Sequence, residues 1–180
     1  MSKNVLIISA SPRKGGNSET LAGEIARGAL EAGHKVEKVD LRDQTIGFCR
    51  GCLACQKTQH CVIKDDASVI AEKMLTSEVI VFATPIYFYE MSGQMKTMLD
   101  RSNPLFPADY AFRDIYLAAT AADKEEHAFD GAVKGLEGWI ACFEKARLAG
   151  VIKGMGIDGF GAIKDFPEIQ QAAYEMGAKI

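Results

Sequence analysis

The sequence of 180 residues lacks any apolar run long enough to cross a bilayer, which takes about 20 residues. Its first apolar run, Val5 to Ala10, is also too short for the core of a signal peptide. The numbers of basic and acidic residues are similar, with 21 Lys and Arg against 24 Asp and Glu. A nucleic-acid partner would require a basic face or stripe, which this composition does not suggest. We therefore expect a cytoplasmic protein with neither nucleic acid nor a membrane as partner.

The sequence also lacks internal repeats and two common nucleotide-binding motifs. It contains neither G-x-G-x-x-G after a strand nor the P-loop G-x-x-x-x-G-K-[ST]. These absences argue against a site for a dinucleotide or a nucleoside triphosphate of the usual kind. No long linker divides the chain, and its length fits a single domain spanning 1–180.

Short β-branched runs alternate with amphipathic stretches along the chain. This alternation predicts an α/β protein with one parallel sheet covered by helices on both faces. Ligands of such sheets bind at the carboxyl ends of the strands, so the loops after the first, third and fourth strands are the candidate site. The predicted strands are Val5–Ile8, Lys35–Leu41, Val79–Ala83, Ile115–Thr120 and Val151–Ile157, and the predicted helices are Asn17–Ala32, Asp65–Ser77, Met91–Ser102, Ala128–Ala149 and one from Pro167.

The loop after the first strand is typical of a phosphate site. It reads SASPRKGGNS from Ser9 to Ser18 and leads into a helix that Asn17 or Ser18 is expected to cap. A helix N-terminus with free backbone N–H groups favours an anion, and nearby hydroxyls and a guanidinium add hydrogen bonds. The alternative is a solvated turn with a good cap.

The loop after the third strand carries three successive aromatic residues, Tyr87, Phe88 and Tyr89. A loop of that character is expected to face a flat ligand such as an isoalloxazine ring. The alternative is a dimer interface, in which aromatic side chains are enriched.

Together, SPRKGGNS and PIYFYEMSGQMKTMLDRS resemble the NADPH-dependent FMN reductase and flavodoxin-like superfamily. With CRGCLACQKTQHCVIKDD between them, the chain is most similar to the iron–sulfur flavoprotein branch. The resemblance implies a flavodoxin-like three-layer fold with strand order 2-1-3-4-5, a bound FMN and a homodimer or homotetramer. It implies cofactor contacts from Ser9, Ser11, Arg13, Asn17, Ser18, Pro85, Ile86, Tyr87, Phe88, Thr120, Ala121 and Asp123.

Four of the five cysteines lie within a cysteine-rich loop predicted at about 43–64, with the spacing C-x2-C-x2-C-x5-C. In a reducing compartment such a cluster is more often metal-binding or catalytic than disulfide-bonded. The resemblance implies a [4Fe-4S] cluster; zinc and a loop that holds nothing are the alternatives. The candidate ligands are Cys49, Cys52, Cys55 and Cys61, whereas Cys142 is expected to be a buried small hydrophobe.

These features predict an FMN-dependent enzyme that passes electrons from NAD(P)H or a reduced carrier to a small acceptor such as a quinone or a flavin. The cofactor performs the redox chemistry and the protein positions it. No catalytic acid or base is evident in the sequence. The alternative is an electron-transfer protein that holds FMN and a cluster and exchanges electrons with a ferredoxin-like donor.

Overall fold

The computed structural model describes residues 1–180 and is built around a six-stranded sheet. The strands are β1 (Asn4–Ser9), β2 (Lys35–Asp40), β3 (Val79–Tyr87), β4 (Glu90–Met91), β5 (Asp114–Thr120) and β6 (Arg147–Gly154). Five parallel strands have the spatial order β2-β1-β3-β5-β6, and the short strand β4 pairs antiparallel with β3. Counting the parallel strands alone, this is the predicted order 2-1-3-4-5, which is confirmed.

Helices cover both faces of the sheet, as continuously apolar parallel strands require. The helices are α1 (Asn17–Glu31), α2 (Cys55–Thr58), α3 (Asp66–Thr76), α4 (Gly93–Arg101), α5 (Asp130–Ile140) and α6 (Pro167–Ala178). One face packs on α1 and α6, whose close approach depends on Gly28 and Gly177. The other face packs on α3, α4 and α5 and holds the larger apolar core. None of the helices has the length and apolar character to cross a bilayer.

The predicted boundary between the last long helix and the last strand was wrong. The helix α5 ends at Ile140 rather than at Ala149, and β6 already begins at Arg147. After the helix, tight turns run as far as Phe143, which is buried against Trp139. The helical spacing of apolar residues therefore extends beyond the end of the helix, which is why the sequence predicts too long a helix. The strand pairing is also irregular, because Ile115 pairs with Leu148 and its neighbour pairs two residues further along β6.

The third strand extends further than predicted and ends in a hairpin. It continues to Tyr87 and turns back at once into β4. The two turn residues, Phe88 and Tyr89, have φ angles of 51° and 65°, a left-handed conformation that usually selects Asn or Gly. The aromatic segment is thus a strained turn that projects from the carboxyl edge of the sheet.

Candidate functional site

Three loops meet at one edge of the sheet, because β1, β3 and β5 are parallel neighbours. Ser9 at the end of β1 is in register with Ala83, and Pro85 is in register with Thr120. The backbone N–H of Ala10 donates to the carbonyl of Ala83 at 2.8 Å. The chain passes from β1 to β2 on one side and later to β3 on the other, so this edge contains the switch point where ligands of open α/β sheets bind.

The loop from Ser9 to Ser18 presents polar groups that have no partner within the protein. The hydroxyls of Ser9 and Ser18 are buried, and neither makes a hydrogen bond. Gly16 occupies the N-cap of α1, and no side chain caps this helix, contrary to the expectation for Asn17 or Ser18. Buried hydroxyls without partners are unfavourable, so the site is arranged for a ligand that accepts hydrogen bonds.

The same loop is tightly folded. The hydroxyl of Ser11 donates to the carbonyl of Arg13 at 2.9 Å. A Cβ atom at Gly16 would overlap the Ser11 hydroxyl oxygen and lie 3.0 Å from the carbonyl oxygen of Arg13, so a larger residue would have to displace the Ser11 side chain. Gly15 has a φ of +72°, and its N–H donates to a carboxylate oxygen of Glu19 at 2.7 Å. These contacts give the loop a fixed shape before any ligand arrives.

Asn17 joins the loop from Ser9 to Ser18 to the segment after β6, which was not among the predicted site loops. Its side-chain amide donates to the carbonyl of Gly159 at 2.8 Å and accepts from the N–H of Ile163 at 3.2 Å. The guanidinium carbon of Arg13 lies 5.4 Å from the ring centre of Phe160. The signal for this fourth loop was the row of glycines after β6, three of which have positive φ.

The aromatic hairpin formed by β3 and β4 extends from the strand next to β1. Pro85, Ile86 and Tyr87 belong to β3, and the side chain of Phe88 is fully exposed at the tip. Tyr89, which is not among the predicted cofactor contacts, donates its hydroxyl to Asp123 at 3.0 Å and stacks on the ring of His127. That hydrogen bond raises the pKa of the Tyr89 phenol.

The loop after β5 completes the edge. Thr120 and Ala121 are buried, and the N–H of Ala121 donates to Gly154 at 2.9 Å. A carboxylate oxygen of Asp123 accepts from the N–H of Glu125 at 2.9 Å. This backbone hydrogen bond, together with the one from Tyr89, lowers the pKa of Asp123. The three predicted loops therefore lie side by side, with Asp123 linking two of them.

The four clustered cysteines lie on the face of α4 and α5, in irregular backbone and in α2. Cys49 and Cys52 are exposed, Cys61 is partly buried and Cys55 is buried, while Cys142, expected to be buried, is exposed. No three Cys, His, Asp or Glu side chains of the chain are grouped closely enough to hold a metal ion. The sulfur of Cys55 accepts from the side-chain amide of Asn103 at 3.1 Å.

Arg101, at the end of α4, anchors both ends of this cysteine segment. Its guanidinium donates to Asp65 through two hydrogen bonds, of 2.7 and 2.8 Å. It also donates to the carbonyls of Gly47 at 2.7 Å and Ile63 at 3.3 Å, and to the sulfur of Cys61 at 3.4 Å. All four clustered cysteines fall between these two backbone anchors. The hydrogen bond from Arg101 lowers the pKa of Asp65.

The sheet order, the two helical layers and the loops at the carboxyl edge define a protein of the flavodoxin-like class. Solved structures agree: an NAD(P)H:quinone oxidoreductase from Methanothermobacter marburgensis superposes with a TM-score of 0.77 at 17% identity, covering 99% of this chain and 96% of that one.

The family model described as NADPH-dependent FMN reductase matches residues 3–142, and the chain belongs to that family. An iron-sulfur flavoprotein of Methanosarcina thermophila is 30% identical over 74% of this chain and 70% of its own length. One from Methanocaldococcus jannaschii is 38% identical over 56% of this chain and 52% of its own length. The chain thus spans only about half the length of some of the curated relatives it matches. The predicted family and its iron–sulfur flavoprotein branch are confirmed.

Proposed function

We propose that residues 1–180 form one FMN-binding domain that passes electrons from NAD(P)H or a reduced carrier to a small acceptor. The observation that carries this proposal is the pair of buried, unpartnered hydroxyls of Ser9 and Ser18 beside the uncapped N-terminus of α1. An anionic phosphate there would supply the missing acceptors and interact favourably with the helix dipole. The family match supports FMN as the molecule that carries this phosphate.

The remaining edge residues suit the flavin ring. In this proposal Ser11 and Arg13 complete the phosphate contacts. The backbone of Pro85 and Ile86, with Tyr87 and Phe88, borders one side of the ring, and the segment from Thr120 to Asp123 borders the other. FMN, when bound, supplies exchange of one or two electrons. The protein would hold the FMN in position and surround it with fixed dipoles.

Spectroscopy and kinetics test this proposal directly. The purified protein is expected to carry FMN or to bind it stoichiometrically when it is supplied, with a shift of the flavin absorption bands. NADH and NADPH are then compared as electron donors, with a quinone and free flavin as acceptors. A protein that takes up no FMN, or whose bound FMN no donor reduces, would contradict the proposal.

We propose as a second candidate that the four cysteines hold a [4Fe-4S] cluster and that the protein transfers electrons between a ferredoxin-like donor and the flavin. The chemistry of the donor set fits, because the four thiols have cluster-like spacing, and two of them, Cys55 and Cys61, accept hydrogen bonds from N–H donors, which tune cluster sulfurs. The relatives named iron-sulfur flavoproteins support it. The arrangement itself does not form a site, so a cluster requires a different placement of the exposed Cys49 and Cys52.

Iron and acid-labile sulfide analysis of anaerobically purified protein separates the two candidates. Four irons and four sulfides per chain, with a broad absorption shoulder that dithionite bleaches, would support the cluster. Flavin bands alone, after reconstitution with iron and sulfide has also failed, would leave the simpler reductase. Substitution of Cys55 by Ala is the matched variant and is expected to abolish the shoulder while FMN stays bound.

We further propose a homodimer or homotetramer in the cytoplasm. The fully exposed ring of Phe88 and the exposed Tyr87 beside it suit a subunit contact. The five cysteines are all free thiols, which suits a reducing compartment. Light scattering of the purified protein measures the oligomeric state, and a monomer at micromolar concentration would contradict the assembly.

A further inference from the structure

A network of charged side chains supports the phosphate loop from outside. Glu19, in the first turn of α1, accepts the N–H of Gly15 at 2.7 Å. Arg42 donates to both oxygens of the same carboxylate, at 2.9 and 3.1 Å. Lys38 on β2 adds a third donor at 3.0 Å. The carboxylate therefore joins the loop to the end of the neighbouring strand.

A second carboxylate completes the network. Asp40 lies 3.2 Å from the ammonium of Lys38 and 3.4 Å from the guanidinium of Arg42. These four side chains carry two negative and two positive charges, and they are only 12–31% exposed. Asp43, at 3.6 Å from Arg42, is well exposed and screened by solvent.

The balance of charge matters because the loop is built for an anion. A carboxylate in the first turn of α1 would by itself repel a phosphate dianion at that N-terminus. Arg42 and Lys38 cancel that repulsion, and they leave Glu19 free to hold Gly15 in its left-handed conformation. Burial acts to raise the pKa of Glu19, but the hydrogen bonds from Arg42 and Lys38 outweigh it and lower the pKa, so the carboxylate stays ionised at neutral pH.

We propose that Glu19, Lys38, Asp40 and Arg42 form a charge-balanced support that fixes the phosphate loop and sets its preference for FMN over riboflavin. The inference rests on the proposed function, because it assumes that this loop receives the phosphate of FMN. These residues are positioning residues: they act through the loop and through its electrostatic potential. Riboflavin, which has the same ring and no phosphate, is the natural reference ligand.

The test measures the dissociation constants of FMN and riboflavin by fluorescence titration. Arg42→Leu leaves one carboxylate uncompensated and is expected to weaken FMN binding about tenfold, while riboflavin changes less than about twofold. Glu19→Gln keeps an oxygen acceptor for Gly15 and leaves a surplus positive charge, so FMN is expected to bind a few-fold more tightly. Both shifts should shrink at high salt, because salt screens interactions between partly exposed charges.

Two further variants serve as controls. Arg27→Leu makes the same change of charge on α1, but Arg27 is paired with Glu24 and Glu31 outside the network, so the ratio of the two constants should not move. Lys38→Met removes the other cation and should act in the same direction as Arg42→Leu. It keeps the test available if the Arg42 variant fails to fold.

The possible results separate the inference from the proposed function. If the Arg42 and Lys38 variants bind FMN and riboflavin equally less well, the network has only a structural role and the inference is overturned. If every variant binds both ligands as tightly as the wild type, the inference is overturned as well, while FMN binding itself stays supported. A wild-type protein that binds neither ligand would instead remove the proposed function, and the inference with it.

Discussion

Replacing Arg101 by leucine is expected to destabilise the protein more than any surface substitution. The Arg101 side chain is fully buried and makes two hydrogen bonds to Asp65, whose own side chain is 10% exposed. Leucine fills much of the volume but leaves the carbonyl of Gly47 without this donor. The Asp65 carboxylate loses its only cationic partner and keeps only the backbone N–H groups of Gly47 and Ala67 as donors. Breaking a buried ion pair from one side costs about 3–5 kcal/mol, a large part of the roughly 5–15 kcal/mol that stabilises a typical domain.

Urea unfolding measures this loss, with the single tryptophan as the probe. Trp139 donates to Ser102, the residue next to Arg101, at 2.8 Å, and packs on Phe82 and Phe143, so its fluorescence reports the affected region. With a slope of about 2–3 kcal/mol per molar urea, the midpoint is expected to fall by about 1–2 M. Far-UV circular dichroism should give the same transition if unfolding is two-state.

The dependence on pH provides an independent check. The folded-state pKa of Asp65 is lowered, first by the hydrogen bond from Arg101, so the ionised carboxylate contributes stability above its unfolded pKa of about 4. That contribution disappears as the pH falls below 4 and through the lowered folded pKa. In the leucine variant the Asp65 carboxylate has lost its cation and keeps only backbone donors, so its ionised form is stabilised less. The stability difference between the two proteins should therefore be full at pH 7 and shrink below about pH 4.

Removing both partners sharpens the test. The double variant Arg101→Leu with Asp65→Leu leaves no buried charge and should be more stable than the single variant, although Asp65 also caps α3 through the N–H of Ala67. An Arg101→Leu midpoint within about 0.3 M of wild type, or a double variant less stable than both single ones, would refute the reasoning. Arg27→Leu, in an exposed ion pair, is the matched control and should change little.

Three further substitutions test the packing. Gly177→Ala places a Cβ against the carbonyl oxygen of Ile25 between α1 and α6 and should destabilise by about 1–3 kcal/mol in urea unfolding. Phe88→Gly relieves backbone strain of about 1 kcal/mol at a residue with positive φ, so the protein should unfold at a higher temperature in a thermal melt. The same substitution should weaken FMN binding if the Phe88 ring contacts the cofactor. Trp139→Phe loses the hydrogen bond to Ser102 and should cost at least about 1 kcal/mol, measured by circular dichroism.

The arrangement of the three loops could be predicted because it follows from strand order and local chain chemistry. Each strand that leads to this edge is a short apolar run, and polar or aromatic residues such as Ser11 and Phe88 follow it. Parallel pairing then brings the loops to a common edge whatever the details of their contacts. The α/β class and the strand order needed no information on side-chain packing.

What could not be predicted depends on partners distant in the chain. Nothing near Glu19 indicates that Arg42 will approach it from the turn after β2, and nothing near Arg101 indicates that it will pair with Asp65, 36 residues away. The end of α5 was predicted wrongly for a related reason: the buried Phe143 continues the helical spacing of apolar residues although the helix ends at Ile140. In each case tertiary contacts, which a periodicity does not record, decide the outcome.

In the cysteine segment the spacing of the thiols is evident from the sequence, whereas the contacts that position them are not. Spacing alone predicts that its four thiols can reach a common centre, yet the positions of its ends are set by Arg101, and that of Cys55 also by Asn103. These anchors are protein groups that need no bound metal, and they leave Cys49 and Cys52 exposed in irregular backbone. The segment is therefore held at its ends by Arg101, and in this arrangement its four thiols are not grouped closely enough to hold a metal ion.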